Sequence, residues 1–326
     1  MFGSAHRIFA RSARTKTAGQ ARFMSTSSSF SNVASSRFAV PFLAATAVAA
    51  GALYAYNADA KEEEKQDVKK ALNPKDFKPF TVTEVVPYNY NSKLIRFELK
   101  DDEILGLDVA SALVVRAPIG EDGKQVIRPY TPISDNDDRG HWDLLVKVYE
   151  KGVMSKHLGD LKPGDTLEVK GPIPKLQIKP NMKKRIAMIA GGSGITPMYQ
   201  VVNELIKAEK DSKEKTELTL LFANISEDDI LLKETFDRLA KENSNFKVHY
   251  LIEKHGQDWK GEVGRVTTDL AKRLLPPPSD EHLVLVCGPP PMMNAVSGGK
   301  APDYSQGEVS GILKDLGYTK DQVYKF

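Results

Sequence analysis

Arg128, Tyr130, Thr131 and Ser134 stand within one seven-residue run, RPYTPIS (128–134). Together they can address a phosphate and a ring at once. The guanidinium of Arg128 is a planar fork of donors matched to phosphate oxygens. Tyr130 offers a flat face with a hydroxyl at its edge, and Thr131 and Ser134 add short donors. Pro129 and Pro132 hold the backbone extended, so alternate side chains point at one ligand. A proline-punctuated edge strand accounts for the same residues without any ligand. A second stretch, EKGVMSKHL (150–158), has Gly152 where backbone can approach a ligand closely. Ser155 follows at the start of a short expected helix, Met154 to Gly159, where free N–H groups favour an anion. An ordinary Ser cap on a core helix reads equally from those residues.

Two further stretches lie in the second half. RIAMIA (185–190) is a continuous apolar run, followed by GGSGITPM (191–198) and a helical pattern. Strand, glycine turn and helix hold a pyrophosphate at a helix N-terminus in dinucleotide-binding folds. Gly191, Gly192 and Gly194 remove side chains, Ser193 and Thr196 supply hydroxyls, and Pro197 suits a first helical turn. The spacing is not GxGxxG, and a merely tight strand–helix turn is the alternative. CGPPPMM (287–293) ends another apolar run and puts Cys287 at a strand's carboxyl end, where a buried thiol is the commoner state. NISEDDI (224–230) carries Glu227, Asp228 and Asp229 without Arg or Lys. A carboxylate there can accept from an adenosine ribose and repel a 2′-phosphate, favouring NADH over NADPH, or it can cap a helix.

The elements that must position these groups fall into two blocks. Over 74–180, alternating apolar and polar residues (FTVTEVVPYNYNSKLIRFEL, ASALVVRAP, WDLLVKVYE, DTLEVKG) are separated by EDGK, DNDDRG and KPGD. Short strands with such turns predict an antiparallel β-barrel domain. Over 181–326, strands (RIAMIA, TELTLLFA, FKVHYLI, HLVLVCG) alternate with helices (YQVVNELIKAE, DILLKETFDRLAKE, RVTTDLAKRLL). That alternation predicts an α/β doubly wound parallel sheet, whose ligands bind at the strands' carboxyl ends.

The chain has 326 residues and a net charge of +3. Residues 1–58 hold six of its 46 basic residues and none of its 43 acidic ones, so 59–326 carry 40 against 43. The basic surplus belongs to the leader, and no nucleic-acid footprint remains. One cysteine excludes an internal disulfide, and no His/Cys cluster has zinc-ligand spacing. Residues 1–37 are Arg- and Ser-rich and acid-free, as in mitochondrial presequences. Residues 38–56 form an uncharged apolar run of 19 residues, about enough for a ~30 Å hydrocarbon core, and 57–73 form a charged linker. The expectation is a single-pass mitochondrial protein of the outer membrane, or one of the intermembrane space.

RPYTPIS, GVMS, GGSGITPM and CGPPPMM, in this order and spacing, resemble the ferredoxin-reductase-like flavoproteins. LFANISEDDILL (221–232) and RLLPPP (273–278) also resemble the NADH–cytochrome b5 reductases, and with the leader and the apolar run added the chain resembles the fungal mitochondrial form. The resemblance covers about 75–326. It implies a FAD-binding barrel, an NADH-binding α/β domain and a flavin between them. Carried over by motif, Arg128, Pro129, Tyr130, Thr131 and Ser134 bind FAD, with Thr131 near the reactive flavin nitrogen. Lys147, Tyr149, Gly152, Val153, Met154 and Ser155 complete that site, and Thr196 meets the flavin from the other domain. Gly192, Asp229, Cys287, Gly288 and Pro289 lie along NADH, with Cys287 near the nicotinamide; Gly191, Ser193, Gly194, Pro197 and Met292 count among the cofactor-binding residues, as does Phe326, the family's aromatic end. Thr131, Lys147 and Cys287 are the candidates nearest the chemistry. The chain departs from the family at Ala110, Ser111 and Ala112, where a flavin-contacting stretch is usual, and in the proline-rich GPIPK (171–175). The implied partner is cytochrome b5 or a similar small haem protein, met by Lys147, Lys151, Lys156, Lys183 and Lys184. A quinone or iron–sulfur acceptor, or a non-catalytic nucleotide-binding membrane adaptor, are the other readings.

Overall fold

The computed structural model describes residues 68–326. The expected leader, the apolar run and the linker up to residue 67 lie outside the described residues. Among the described residues no helix is long and apolar enough to cross a membrane.

In chain order the first half contains strands β1 (Lys69–Lys70), β2 (Lys78–Asn89), β3 (Ser92–Glu98), β4 (Glu103–Ile104), β5 (Ala112–Pro118), β6 (Gln125–Tyr130) and β7 (His141–Lys147). Helix α1 (Val153–Asp160) and strand β8 (Thr166–Ile173) follow. Six of these strands make one antiparallel sheet in the order β6-β5-β8-β2-β3-β7, while β1 and β4 pair beside it. The sheet curls around an apolar core in which Trp142 is fully buried, stacked on Phe97 at 4.3 Å and edge-on to Phe80 at 5.5 Å. Strands β6 and β7 are its two edges and are not hydrogen-bonded to each other. The barrel is thus left open on the side where Tyr130 and Lys147 end their strands.

Tyr90 and Asn91 form a two-residue turn between β2 and β3, with Asn89 opposite Ser92. No Gly or Pro marks that turn, so the sequence reads as an unbroken strand-like run; the Asn89 side chain takes the place of such a signal by accepting from the Asn91 N–H at 3.1 Å.

The second half contains β9 (Arg185–Gly191), a single 3-10 turn (Gly192–Gly194), α2 (Ile195–Ala208), β10 (Glu217–Asn224), α3 (Lys233–Glu242), β11 (Phe246–Ile252) and β12 (Glu262–Val263). Helix α4 (Thr268–Leu274), β13 (His282–Cys287), α5 (Pro290–Val296), α6 (Gly311–Asp315) and β14 (Val323–Lys325) complete it. All six strands run parallel in the order β12-β11-β10-β9-β13-β14. β9 shows no alternation, because both faces are covered. The chain leaves β9 toward β10 and returns on its other side at β13, so the order reverses between those two strands. The crevice at their carboxyl ends is the expected ligand position of such a sheet. GGSG follows β9 and CGPP follows β13, so the two motifs flank that crevice.

Helix α3 begins at Lys233, four residues later than the apolar spacing suggests. Residues 227–229 form a separate 3-10 turn, and Leu232 takes a left-handed φ of 57°. The intervening segment serves the other sheet, as described next.

Candidate functional site

The two sheets meet at two seats. On one, Gln200 of α2 donates to the Pro132 carbonyl at 3.2 Å and Lys207 pairs with Asp137 at 2.8 Å. On the other, the segment 226–232 is gripped by the β2–β3 turn. Asn89 Nδ2 donates to the Asp228 carbonyl at 2.8 Å, and the Leu232 N–H donates to Tyr88 Oη at 3.0 Å. At its centre Asp229 Oδ1 accepts from Lys147 Nζ at 2.6 Å, Tyr90 Oη at 2.6 Å and Asn91 Nδ2 at 3.1 Å. Its Oδ2 accepts from the Ser226 hydroxyl at 2.7 Å and the Ser226 N–H at 3.2 Å. Burial alone would push this carboxyl up. The donors from Lys147, Tyr90, Ser226 and Asn91 outweigh it and hold Asp229 well below the usual carboxylate range.

This arrangement bears on two expectations. The Asp229 carboxylate, expected along NADH, is 1% exposed and accepts from Lys147, Tyr90, Asn91 and Ser226. Lys147 lies neither open to a flavin nor on a partner-facing surface, because its side chain is 8% exposed and turned into that ion pair. An unpaired charge left behind in such a place costs about 3–5 kcal/mol, which is why the two are found together. Lys183 and Lys184 stay at the surface, Lys183 donating to the Asp280 carbonyl and Lys184, 72% exposed, pairing with Glu281 at 2.5 Å. Lys151 and Lys156 are exposed.

A third contact between the two halves lies at the glycine turn. Tyr149, just after β7, brings its hydroxyl to Ser193 Oγ at 3.0 Å, so the barrel's edge touches the glycine turn. Gly192 has a φ of 52°, and a Cβ there would come 3.5 Å from Tyr149 Oη. Tyr130 ends β6 close enough to Arg128 and Tyr149 to feel both; burial pushes its phenol up to about 12, so it stays protonated at neutral pH. Arg128 is exposed, and its guanidinium holds only the neighbouring Ile127 carbonyl at 2.8 Å. Pro129 is exposed beside it and Thr131 is half-buried, while Ser134 accepts from the Asp143 N–H at 3.1 Å to hold the loop on β7.

Helix α1 starts at Val153 with Gly152 as its cap and no side-chain cap. Ser155 is not directed at a ligand: its hydroxyl accepts from the Tyr149 N–H at 3.2 Å and faces the Gly152 carbonyl at 3.4 Å. Met154 is 3% exposed and belongs to the barrel core, whereas Val153 is 50% exposed. Ala110, Ser111 and Ala112 are buried, with Ala110 at φ 56°, so this stretch offers no side chain outward.

Around the crevice the glycines serve the loops' contact with each other. A Cβ on Gly194 would lie 2.3 Å from the Cys287 carbonyl oxygen, and one on Gly191 would lie 2.6 Å from Met292 Sδ and 2.9 Å from Pro289 Cδ. A Cβ on Gly288 would meet Met292 Cε at 2.4 Å. Thr196 and Pro197 are buried in the first turn of α2. Phe326 donates its N–H to the Val286 carbonyl at 3.0 Å, next in register beyond the Val286–Lys325 pair and hence beside Cys287.

Burial pushes the Cys287 thiol up to about 12, against a smaller opposing pull from Lys300. Cys287 is half-buried at the end of β13, and its thiol stays protonated near neutrality. The folded pKa is raised above the ordinary 9.0, so the thiol's contribution to stability is present below pH 9 and is lost as pH climbs toward about 12. Relative to Cys287→Ala, the wild-type urea midpoint is expected to fall over that window. An unchanged difference between the two midpoints would contradict the buried thiol.

Sequence reasoning missed Tyr88, Tyr90, Asn91 and Ser226, which make the second seat. It also missed Asn224 at the end of β10, whose side-chain polar atoms are buried without a partner among the described residues. The only signal for the seat was the polar-aromatic YNYN (88–91) in an otherwise β-patterned run.

An antiparallel barrel with an exposed phosphate-matched Arg, beside a parallel sheet whose glycine turn faces it, defines the FAD- and NAD-dependent oxidoreductases. Residues 79–178 match an oxidoreductase FAD-binding domain and 188–298 an oxidoreductase NAD-binding domain. An NADH-cytochrome b5 reductase-like protein of Arabidopsis thaliana is 51% identical over 275 residues, covering 83% of this chain and 82% of that protein. NADH-cytochrome b5 reductase 2 of Mycosarcoma maydis is 48% identical over 263 residues, 78% and 74% of the two chains. Among solved structures, the cytochrome b5 reductase domain of Ulva prolifera nitrate reductase superposes with a TM-score of 0.69 at 33% identity. It covers 79% of this chain and 99% of that domain. The chain belongs to the NADH–cytochrome b5 reductase family.

Proposed function

We propose that this protein is a FAD-dependent NADH oxidoreductase that passes electrons singly to cytochrome b5 or a similar small haem protein. The observation that carries the reading is the junction itself, where Tyr149 on the barrel's open edge meets the Gly192–Ser193 turn at the crevice of the parallel sheet. The donor set fits a flavin dinucleotide: Arg128 has donors to spare for a phosphate, and the uncapped start of α1 supplies free N–H groups. When bound, FAD supplies the chemistry that joins two-electron hydride acceptance to one-electron release.

The chain's own residues bind and align. Arg128 would hold phosphate, and Tyr130, as a neutral phenol, and Thr131 would contact the ring system. Gly192 and Ser193 would leave room for the nucleotide at the turn, and the Cys287 thiol and the Phe326 ring stand side by side across the crevice. No general base is needed, since a hydride carries its own electron pair. Lys151 and Lys156, exposed beside the cleft, supply an attractive rim for an acidic partner. The leader over 1–37 and the apolar run over 38–56 support single-pass attachment to the mitochondrial outer membrane.

The test is steady-state NADH oxidation with soluble cytochrome b5, a quinone or an iron–sulfur protein as acceptor. The reading predicts the largest kcat/KM with cytochrome b5, falling with added salt as steering is screened. Equal or faster turnover with quinone would replace the proposed acceptor.

A further inference from the structure

We propose that the outer face of strands β6, β5 and β8 is a lipid-contact surface, seated among anionic headgroups of the membrane. This rests on the membrane attachment proposed above.

Strand register fixes which side chains point away from the barrel core. Leu113, Val115 and Ala117 of β5 are buried inward, so Val114, Arg116 and Pro118 point outward. Pairing sets Ile127 and Gln125 of β6 beside Arg116 and Pro118, and Lys170 and Glu168 of β8 beside Val114 and Arg116. Pro79 of β2 follows, opposite Glu168. A solvated sheet face reads polar at its outward positions. This one presents Val114, Pro118, Pro79 and Ile127, the last 46% exposed. The other half of the same sheet does follow the rule. Its outward positions on β2, β3 and β7 are Glu84, Arg96 and Asp143, with Arg96 held by Asp143 at 2.8 Å and 4.0 Å from Glu84. The apolar character is thus confined to one half of the sheet.

The surplus charge on that half is positive. Arg116 and Glu168 cancel in a two-pronged pair at 2.9 and 2.7 Å. Lys170 has no carboxylate partner among the described residues. Both cations lie over the Phe77 ring, Arg116 at 4.1 Å and Lys170 at 5.0 Å. An aromatic ring with cationic heads reaching past it suits a lipid interface, where the stems stay with apolar groups and the charges meet phosphates. A second copy fits less well, because a two-fold contact sets the same patch against itself and its surplus charge repels. The course of the chain points to the same occupant. The uncharged run ends at Tyr56, and residues 57–67 between it and Val68 reach at most about 40 Å. From Val68 the chain passes to this face: the Asn73 carbonyl accepts from the Gly171 N–H of β8 at 3.1 Å, and Phe77 lies under the two cations.

The test uses the full-length holoprotein in vesicles of phosphatidylcholine mixed with phosphatidylglycerol, with and without bromine on the acyl chains. An environment-sensitive fluorophore is attached at Gln125→Cys on the face, or at Lys241→Cys, exposed in the last turn of α3, each in a Cys287→Ala background. A face seated about 5–10 Å into the headgroup boundary brings the Gln125 label to the bromines, so its emission should fall about twofold while the Lys241 label is unchanged. Ile127→Glu combined with Lys170→Glu should abolish that quenching in protein that still floats with the vesicles. Full emission from the Gln125 label in brominated vesicles, equal quenching at both positions, or quenching that survives the two substitutions would each overturn the proposal. Both substituted side chains point away from the core; if the combined variant does not fold, the comparison of the two labels decides. Protein that does not float with the vesicles at all would instead sink the attachment itself, and this proposal with it.

Discussion

Gly194→Ala is expected to slow reduction of the bound flavin by NADH about 10²-fold or more, with flavin content unchanged. The added Cβ would lie 2.3 Å from the Cys287 carbonyl oxygen, 2.6 Å from its carbon and 2.9 Å from the Gly288 nitrogen. All three are backbone atoms of the strand end facing the turn, so no side chain can swing aside. β13 cannot yield either, because it is paired with β9 over its whole length and with β14 on its other edge. Relief must come from moving the glycine turn off the crevice, and the turn carries Gly192 and Ser193. The overpacking also costs about 1–3 kcal/mol and should lower Tm. Gly191→Ala is the milder comparison, since its nearest neighbour is the flexible Met292 side chain at 2.6 Å. Gly256→Ala, with nothing within 4 Å, is the neutral one. Native reduction kinetics in Gly194→Ala would show that the contact between the two motifs does not govern the site.

Arg128→Ala is expected to weaken FAD binding about 10²-fold, and the purified protein should lose most of its colour. The guanidinium is exposed and its one internal bond is to the adjacent carbonyl. Nothing in the fold depends on it, so Tm of the apoprotein should be unchanged. A bidentate bond to phosphate contributes about 3 kcal/mol, which corresponds to the stated loss. Arg128→Lys keeps the charge and loses the fork, and should fall between the two. Fluorescence titration of apoprotein with FAD gives the three dissociation constants. Undiminished affinity in Arg128→Ala would move the phosphate site elsewhere.

Much of this was legible in the sequence, for reasons that differ by residue. RIAMIA is an uninterrupted apolar strand because both faces of a parallel sheet are covered, and the structure places it at Arg185–Gly191. RPYTPIS reads both as a ligand strip and as an edge strand, and its first three residues are indeed on the sheet's open edge. What could not be read were contacts made at long separation. Asp229 looks like a solvent-facing carboxylate in an acidic loop, and only the fold brings Lys147, 82 positions earlier, and Tyr90, 139 positions earlier, onto it. Ser155 looked available at a helix start, but Gly152 lets its hydroxyl turn back onto its own loop. Glycines 191 and 194 advertise close approach without saying to what, and the answer is the neighbouring motif.

The central claim is that one flavin sits where NADH can reach it across this cleft. Anaerobic titration of the purified holoprotein with NADH, followed by visible absorption, tests it most directly. The account predicts a yellow protein with one FAD per chain, bleached fully by one equivalent of NADH. Protein that stays colourless after reconstitution with FAD, or that keeps its yellow colour in excess NADH, would contradict it.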